Sequence, residues 1–156
     1  MTTMSIPTGT FEIGRDGPGV LVVGLDGTDP SRDALAYAVG MARREGSSLV
    51  IVRVGVPVSA AAAVAAASGT VLPPGGLMAD EALTPENISA LDELLPGRWR
   101  LVECTGEPGA ELERVARDVR ADAIVVGRSR NPGRHLLGSV TSRLVRRANH
   151  PVIVVP

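Results

Sequence analysis

The sequence contains no lysine, a single cysteine (Cys104) and one each of the large aromatics, Phe11, Tyr37 and Trp99. Without lysine there is no Schiff-base chemistry and no phosphate-binding lysine of a P-loop. One cysteine forms no intrachain disulfide, and with only His135 and His150 beside it no Cys/His structural zinc site can be built. The expected role of Cys104 is that of a small buried strand residue. So few aromatics give no stacking platform for single-stranded nucleic acid. No apolar run reaches the roughly 20 residues of a membrane-spanning helix. The first 19 residues lack the basic start and apolar stretch of a signal peptide, so a flexible N-terminal tail and a cytoplasmic location are expected.

Acidic residues are missing from one place. None follows Asp122, yet Arg128, Arg130, Arg134, Arg143, Arg146 and Arg147 all do. Two readings fit: a solvated helix face with a charged loop, or a local positive field beside an anion site. The net charge of −1 implies no general attraction to nucleic acid or to an anionic membrane.

What is present reads as alternating strands and helices. Val20–Gly24 is a short apolar run of the kind buried on both faces in parallel sheets. Asp29 is a candidate N-cap with Pro30 after it, Leu35, Ala38, Val39 and Ala42 repeat at helical spacing, and Gly46 ends the helix. Residues 48–54 form a second strand. The alanine-rich stretch 55–83, with Pro73-Pro74-Gly75-Gly76, reads as a connection with little to bury. A short helix starts at Thr84 with Leu83 and Ile88 as a hydrophobic staple. Residues 98–104, 122–127 and 151–155 supply three more strands. Helices lie between them, one presenting Leu112, Val115, Ala116 and Val119, the other running from Ser139 to Ala148. The expected fold is a single-domain open α/β sheet of five parallel strands, order 3-2-1-4-5, Rossmann-like with helices on both faces, over residues 20–156.

In such a sheet ligands bind beyond the carboxyl ends of the strands, where the winding direction reverses. That position carries Asp26 after the first strand and Gly127 after the fourth. A carboxylate can accept a hydrogen bond from a ribose or base, and a glycine permits close backbone approach. The segment Gly138-Ser139-Val140-Thr141-Ser142 opens a helix, whose free N–H groups suit a phosphate. Ordinary capping by Ser139 explains the same segment equally well. No GxGxxG or GxSxG motif is present, and neither histidine stands in a triad context.

These residues resemble the universal stress protein family. The resemblance is carried by residues 20–38, the strand 48–54, residues 105–112, and the run from Asp122-Ala-Ile-Val-Val-Gly127 through Gly138-Ser-Val to Pro151-Val-Ile-Val-Val155. It implies a five-stranded parallel sheet, usually a homodimer, and in one subgroup ATP binding. Carried over by position, Asp26 contacts the adenosine, Val54 lines the adenine pocket, Gly127 borders the phosphate loop, and Gly138, Ser139, Val140 and Thr141 hold phosphates. The ATP-binding pattern runs Gly-x-x-Gly, a spacer, then Gly-Ser/Thr. Here Arg130 stands at the second glycine and the spacer to Gly138 is two residues short, Gly133 being a partial replacement. Arg130 or Arg134 reaching a phosphate is one outcome; weakened binding is the favoured one.

The residues and the resemblance together imply a stress-response regulator that is not an enzyme. It is expected to bind ATP or another adenine nucleotide weakly, with Mg accompanying the nucleotide, and to form a homodimer through its C-terminal strand. The alternative is a nucleotide-independent protein whose Arg-rich face meets a protein partner.

Overall fold

The computed structural model describes residues 19–55, 83–128 and 139–156. Five strands form one parallel sheet: β1 (Val20–Gly24), β2 (Ser48–Gly55), β3 (Trp99–Thr105), β4 (Ala123–Gly127) and β5 (Val152–Val155), in the order β3-β2-β1-β4-β5. The expected order holds. Four described helices join them: α1 (Asp29–Glu45), α2 (Pro85–Leu94), α3 (Pro108–Val119) and α4 (Ser139–Arg147). None of the described helices is long and apolar enough to cross a membrane.

Alternate residues of each strand face opposite sides, and both sides are covered. Leu21, Val23, Leu49, Ile51 and Val125 meet Ala34, Ala38 and Ala42 of α1, together with Leu91 of α2 and the adjoining Leu95. Val22, Val50, Val52, Ile124 and Val126 meet Leu112, Val115 and Ala116 of α3 and Leu144 of α4. Leu21, Ile51 and Ile124 are essentially sealed from solvent, each burial contributing about 1.5–3 kcal/mol. Small alanines on α1 let it approach the sheet closely.

Two local expectations are corrected. The N-cap of α1 is Thr28, not Asp29: the Thr28 side chain accepts the Ser31 N–H, and Asp29 is already inside the helix. The Thr28 backbone is extended while Asp29 starts the helical run, so only the former can close the first turn. The proposed staple does not form as a closed pair either. Leu83 packs against the core, but Ile88 remains 39% exposed. Gly46 ends α1 in the left-handed conformation, as its position suggested.

Candidate functional site

Winding reverses between β1 and β4, which pair directly through Leu21–Ala123, Val22–Ile124 and Val23–Val125. β2 and β3 lie to one side of this pair and β5 to the other. The crevice at the carboxyl ends of β1, β2 and β4 is the place such a sheet offers a ligand. Gly24 pairs with Val52, so Asp26 and Val54 each stand two residues beyond one register pair. Gly127 is likewise two residues beyond the Val23–Val125 pair.

The chain leaves β1 through Leu25, whose N–H still donates to Val52 O at 2.9 Å. Gly27 then adopts φ +83°, a conformation that glycine takes without penalty. This brings Thr28 back onto Asp26. Asp26 Oδ1 accepts from the Thr28 amide at 2.9 Å and from the Thr28 hydroxyl at 2.6 Å. The Asp26 amide donates to Ser31 Oγ at 3.3 Å, and Ser31 Oγ donates to Thr28 O at 2.8 Å. Partial burial pushes the Asp26 carboxyl upward. The hydrogen bonds from the Thr28 hydroxyl and amide, from Ser31 and from its own backbone outweigh it, and the pKa falls below the ordinary 3.8. Asp26 is thus an ionised acceptor held in place by its own loop.

Gly127 has a packing role that the sequence reading did not include. A Cβ built there would collide with the backbone carbonyl of Pro30 and lie 2.8 Å from its Cβ. The space a side chain would take is filled by the first turn of α1. The Gly127 carbonyl accepts the Thr141 hydroxyl at 3.3 Å, and Thr141 is buried. The first turn of α4 is therefore tied to the end of β4. Val140 is half-buried against the α3–α4 core, and Ser139 is the first residue of α4. Arg130, Gly133, Arg134, His135 and Gly138 lie outside the described residues.

The structure thus joins three of the predicted residues through α1: Ser31 touches Asp26, Pro30 touches Gly127, and Gly127 holds Thr141. Val54 stands on the neighbouring strand, half-buried and paired with Cys104 of β3. Cys104 is half-buried rather than fully buried, and its Sγ lies 3.7 Å from Arg53 O. Burial and then the adjacent Glu111 carboxylate push its thiol up, with Arg114 offsetting part of this.

Sequence reading missed two pairings. Glu107 caps α3 by accepting the amides of Gly109 at 3.1 Å and Ala110 at 2.7 Å, and pairs with Arg143 of α4 at 3.1 Å. Glu113 accepts the Asn149 amide at 2.8 Å and faces His150 Nδ1 at 3.6 Å, so His150 at the entry to β5 packs on α3. The Gly-Glu-Pro-Gly turn could have signalled the first; nothing local signals the second. Among the described residues no cluster of three or more His, Cys, Asp or Glu could hold a metal ion.

Residues 19–156 match the Universal stress protein family. Over 47 residues the chain is 49% identical to universal stress protein G of Shigella flexneri, which covers 29% of this chain and 32% of that protein. The matched stretch thus spans about a third of the curated relative. The fold is similar to that of UspA from Lactobacillus plantarum, with a TM-score of 0.63 at 22% identity over 91% of this chain and 100% of that one. It is equally similar to a universal stress protein solved in complex with cAMP, with a TM-score of 0.63 at 28% identity over 88% of this chain and 96% of that one.

Proposed function

The chain belongs to the universal stress protein family, and from that premise we propose that it is a dimeric, cytoplasmic stress-response module that binds an adenine nucleotide rather than transforming one. The observation that carries the reading is the junction of Asp26, Gly127 and Thr141 through the first turn of α1. It sets a fixed carboxylate acceptor and a helix start on one crevice. The carboxylate suits ribose hydroxyls or a base amine, and the start of α4 suits a phosphate. The relative bound to cAMP supports an adenine ligand. Thr28 holds Asp26 as an acceptor, which favours recognition over proton transfer. A Mg ion accompanying the phosphates would take most of its oxygens from phosphate and water, because the nearby Asp29 is paired with Arg32 at 3.2 Å.

The shortened loop leads us to expect ATP to bind with a dissociation constant in the high-micromolar range or weaker, about −5.5 kcal/mol at best. Titration calorimetry with ATP, AMP and cAMP tests this, together with analysis of nucleotide extracted from purified protein. Measurable binding that is lost in Asp26→Ala supports the proposal; no heat with any of the three and no extracted nucleotide overturns it. The proposed dimer uses β5, whose residues are half-buried and apolar on both faces. The Pro151 and Val155 carbonyls face β4, so Val152 and Val154 direct their amides outward. Val154→Pro removes an outward donor and should leave a monomer by light scattering.

A second reading, an interaction protein independent of nucleotide, is favoured by one feature of α4. Val145 is 54% exposed beside the exposed Arg146 and Arg147.

A further inference from the structure

The opposite end of the sheet carries a groove of about 390 Å³ between the amino ends of β1 to β3 and the last turn of α3. Small-molecule sites occupy clefts of about 300–1,000 Å³. Val20, Leu49, Val50 and Val119 give this one an apolar lining. Gly97 turns at its corner with φ +67°, and a Cβ there would meet nothing within 4 Å, so the mouth is open on that side. The charged groups around the groove differ in what they are free to do. Arg98 is spent inside the protein, donating to Ala42 O at 3.3 Å and to Ser47 O at 2.8 Å. Asp118 accepts from Arg114 at 3.1 Å, so its charge is met within α3. Arg100 is exposed and has no hydrogen bond or ion pair with another described residue. It is the register partner of Val50, and side chains at one register level leave the sheet on the same face. Val50 belongs to the core beneath α3, so Arg100 leaves the sheet on the side where the groove lies.

We propose that this groove binds a small aliphatic monocarboxylate, with its chain against Val20, Val50 and Val119 and its carboxylate on Arg100. Charge complementarity selects the head group. A guanidinium pairs a carboxylate through two parallel hydrogen bonds, which fixes its orientation as well as its place. One free arginine meets one negative charge, and a second charge on the ligand would face Asp118. The lining selects the body. Trp99 also borders the groove, but it packs against the opposite core and its Nε1 donates to Asp92 of α2 at 2.8 Å. The groove therefore offers aliphatic side chains and no stacking surface, which suits an alkyl chain better than a ring.

The test titrates the full 156-residue chain with butanoate, hexanoate and octanoate, and with octanol as the uncharged control, following amide chemical shifts. Shifts should move at Val20, Gly97, Arg100 and Val119. Affinity should rise about three- to fourfold for each methylene that reaches the lining. Arg100→Gln, at an exposed position, should weaken octanoate several-fold and leave octanol and the circular dichroism unchanged. Val119→Ser should weaken both ligands. No binding of octanoate at millimolar concentration, shifts confined to other surfaces, affinity indifferent to chain length, or an equal response of octanoate and octanol to Arg100→Gln would each overturn the proposal. None of these readouts depends on nucleotide binding at the other end of the sheet.

Discussion

The starts of α1 and α3 are both closed by side chains, but with different charge. α1 is capped by the neutral Thr28 hydroxyl, with the ionised Asp26 just outside it. α3 is capped by the carboxylate of Glu107, which then pairs with Arg143. A helix start attracts anions through its free N–H groups and its dipole. At α3 the chain supplies that anion itself. At α1 a fixed carboxylate repels any other. The difference teaches where an external phosphate can go: of the three helices that begin at the carboxyl end of the sheet around this crevice, α4 is the one whose start faces neither obstacle among the described residues.

The strongest way to break the arrangement is at Gly127. Gly127→Ala drives a methyl into the Pro30 backbone, where no flexible side chain can yield. A loss of about 1–3 kcal/mol is expected, read as a Tm lower by about 3–12 °C in thermal unfolding. It should also displace the start of α1 and so weaken nucleotide binding.

Glu107→Ala inverts the comparison by opening α3. Loss of the cap should cost about 0.5–2 kcal/mol. The half-exposed pair with Arg143 adds little, since exposed ion pairs contribute about 0–1 kcal/mol. Sulfate should then raise the Tm of the variant more than that of the parent, because new N–H groups and Arg143 become free. An equal response in both proteins would show that α3 was never the closed helix.

Asp26→Asn sharpens the α1 side. It keeps the size of the side chain but removes the charge. Nucleotide binding should weaken several-fold while sulfate binding at α4 stays the same or improves, both measured by calorimetry. Equal loss of both ligands with the fold intact would count against the division of roles.

The smallest effect is on stability against pH. Asp26 has a folded pKa below its ordinary value, so its contribution is fully present above about pH 3.8 and is lost as pH falls through the lower folded value. Because the group is exposed, a contribution of only about a few tenths of a kcal/mol is expected. Urea midpoints followed from pH 5 down to pH 2.5 should fall slightly more steeply for the parent than for Asp26→Asn.

The strands were legible because period and composition are local: unbroken apolar runs such as Val20–Gly24 mark strands covered on both faces. Alternation and crossover handedness imply a parallel sheet covered on both faces; the order 3-2-1-4-5 was a further assumption, because other doubly wound orders obey the same rules. The α1 cap was misplaced by one residue because Thr28, Asp29 and Pro30 are all good starting residues, and only backbone geometry chooses among them. Gly127 was legible as a glycine needed for close approach, but the approaching group, Pro30, is far along the chain. Glu113 facing His150 was invisible for the same reason. A sequence announces that a position must be small or charged; which neighbour demands it is decided by packing.

Cys104 has a consequence of another kind. Its neighbours favour the protonated thiol, and thiolate is the form that attacks electrophiles and disulfides. The chain's one sulfhydryl is therefore expected to react slowly. Because it is paired with Val54, nucleotide bound as proposed should change its alkylation rate, so one native thiol reports at equilibrium whether that end of β2 is occupied.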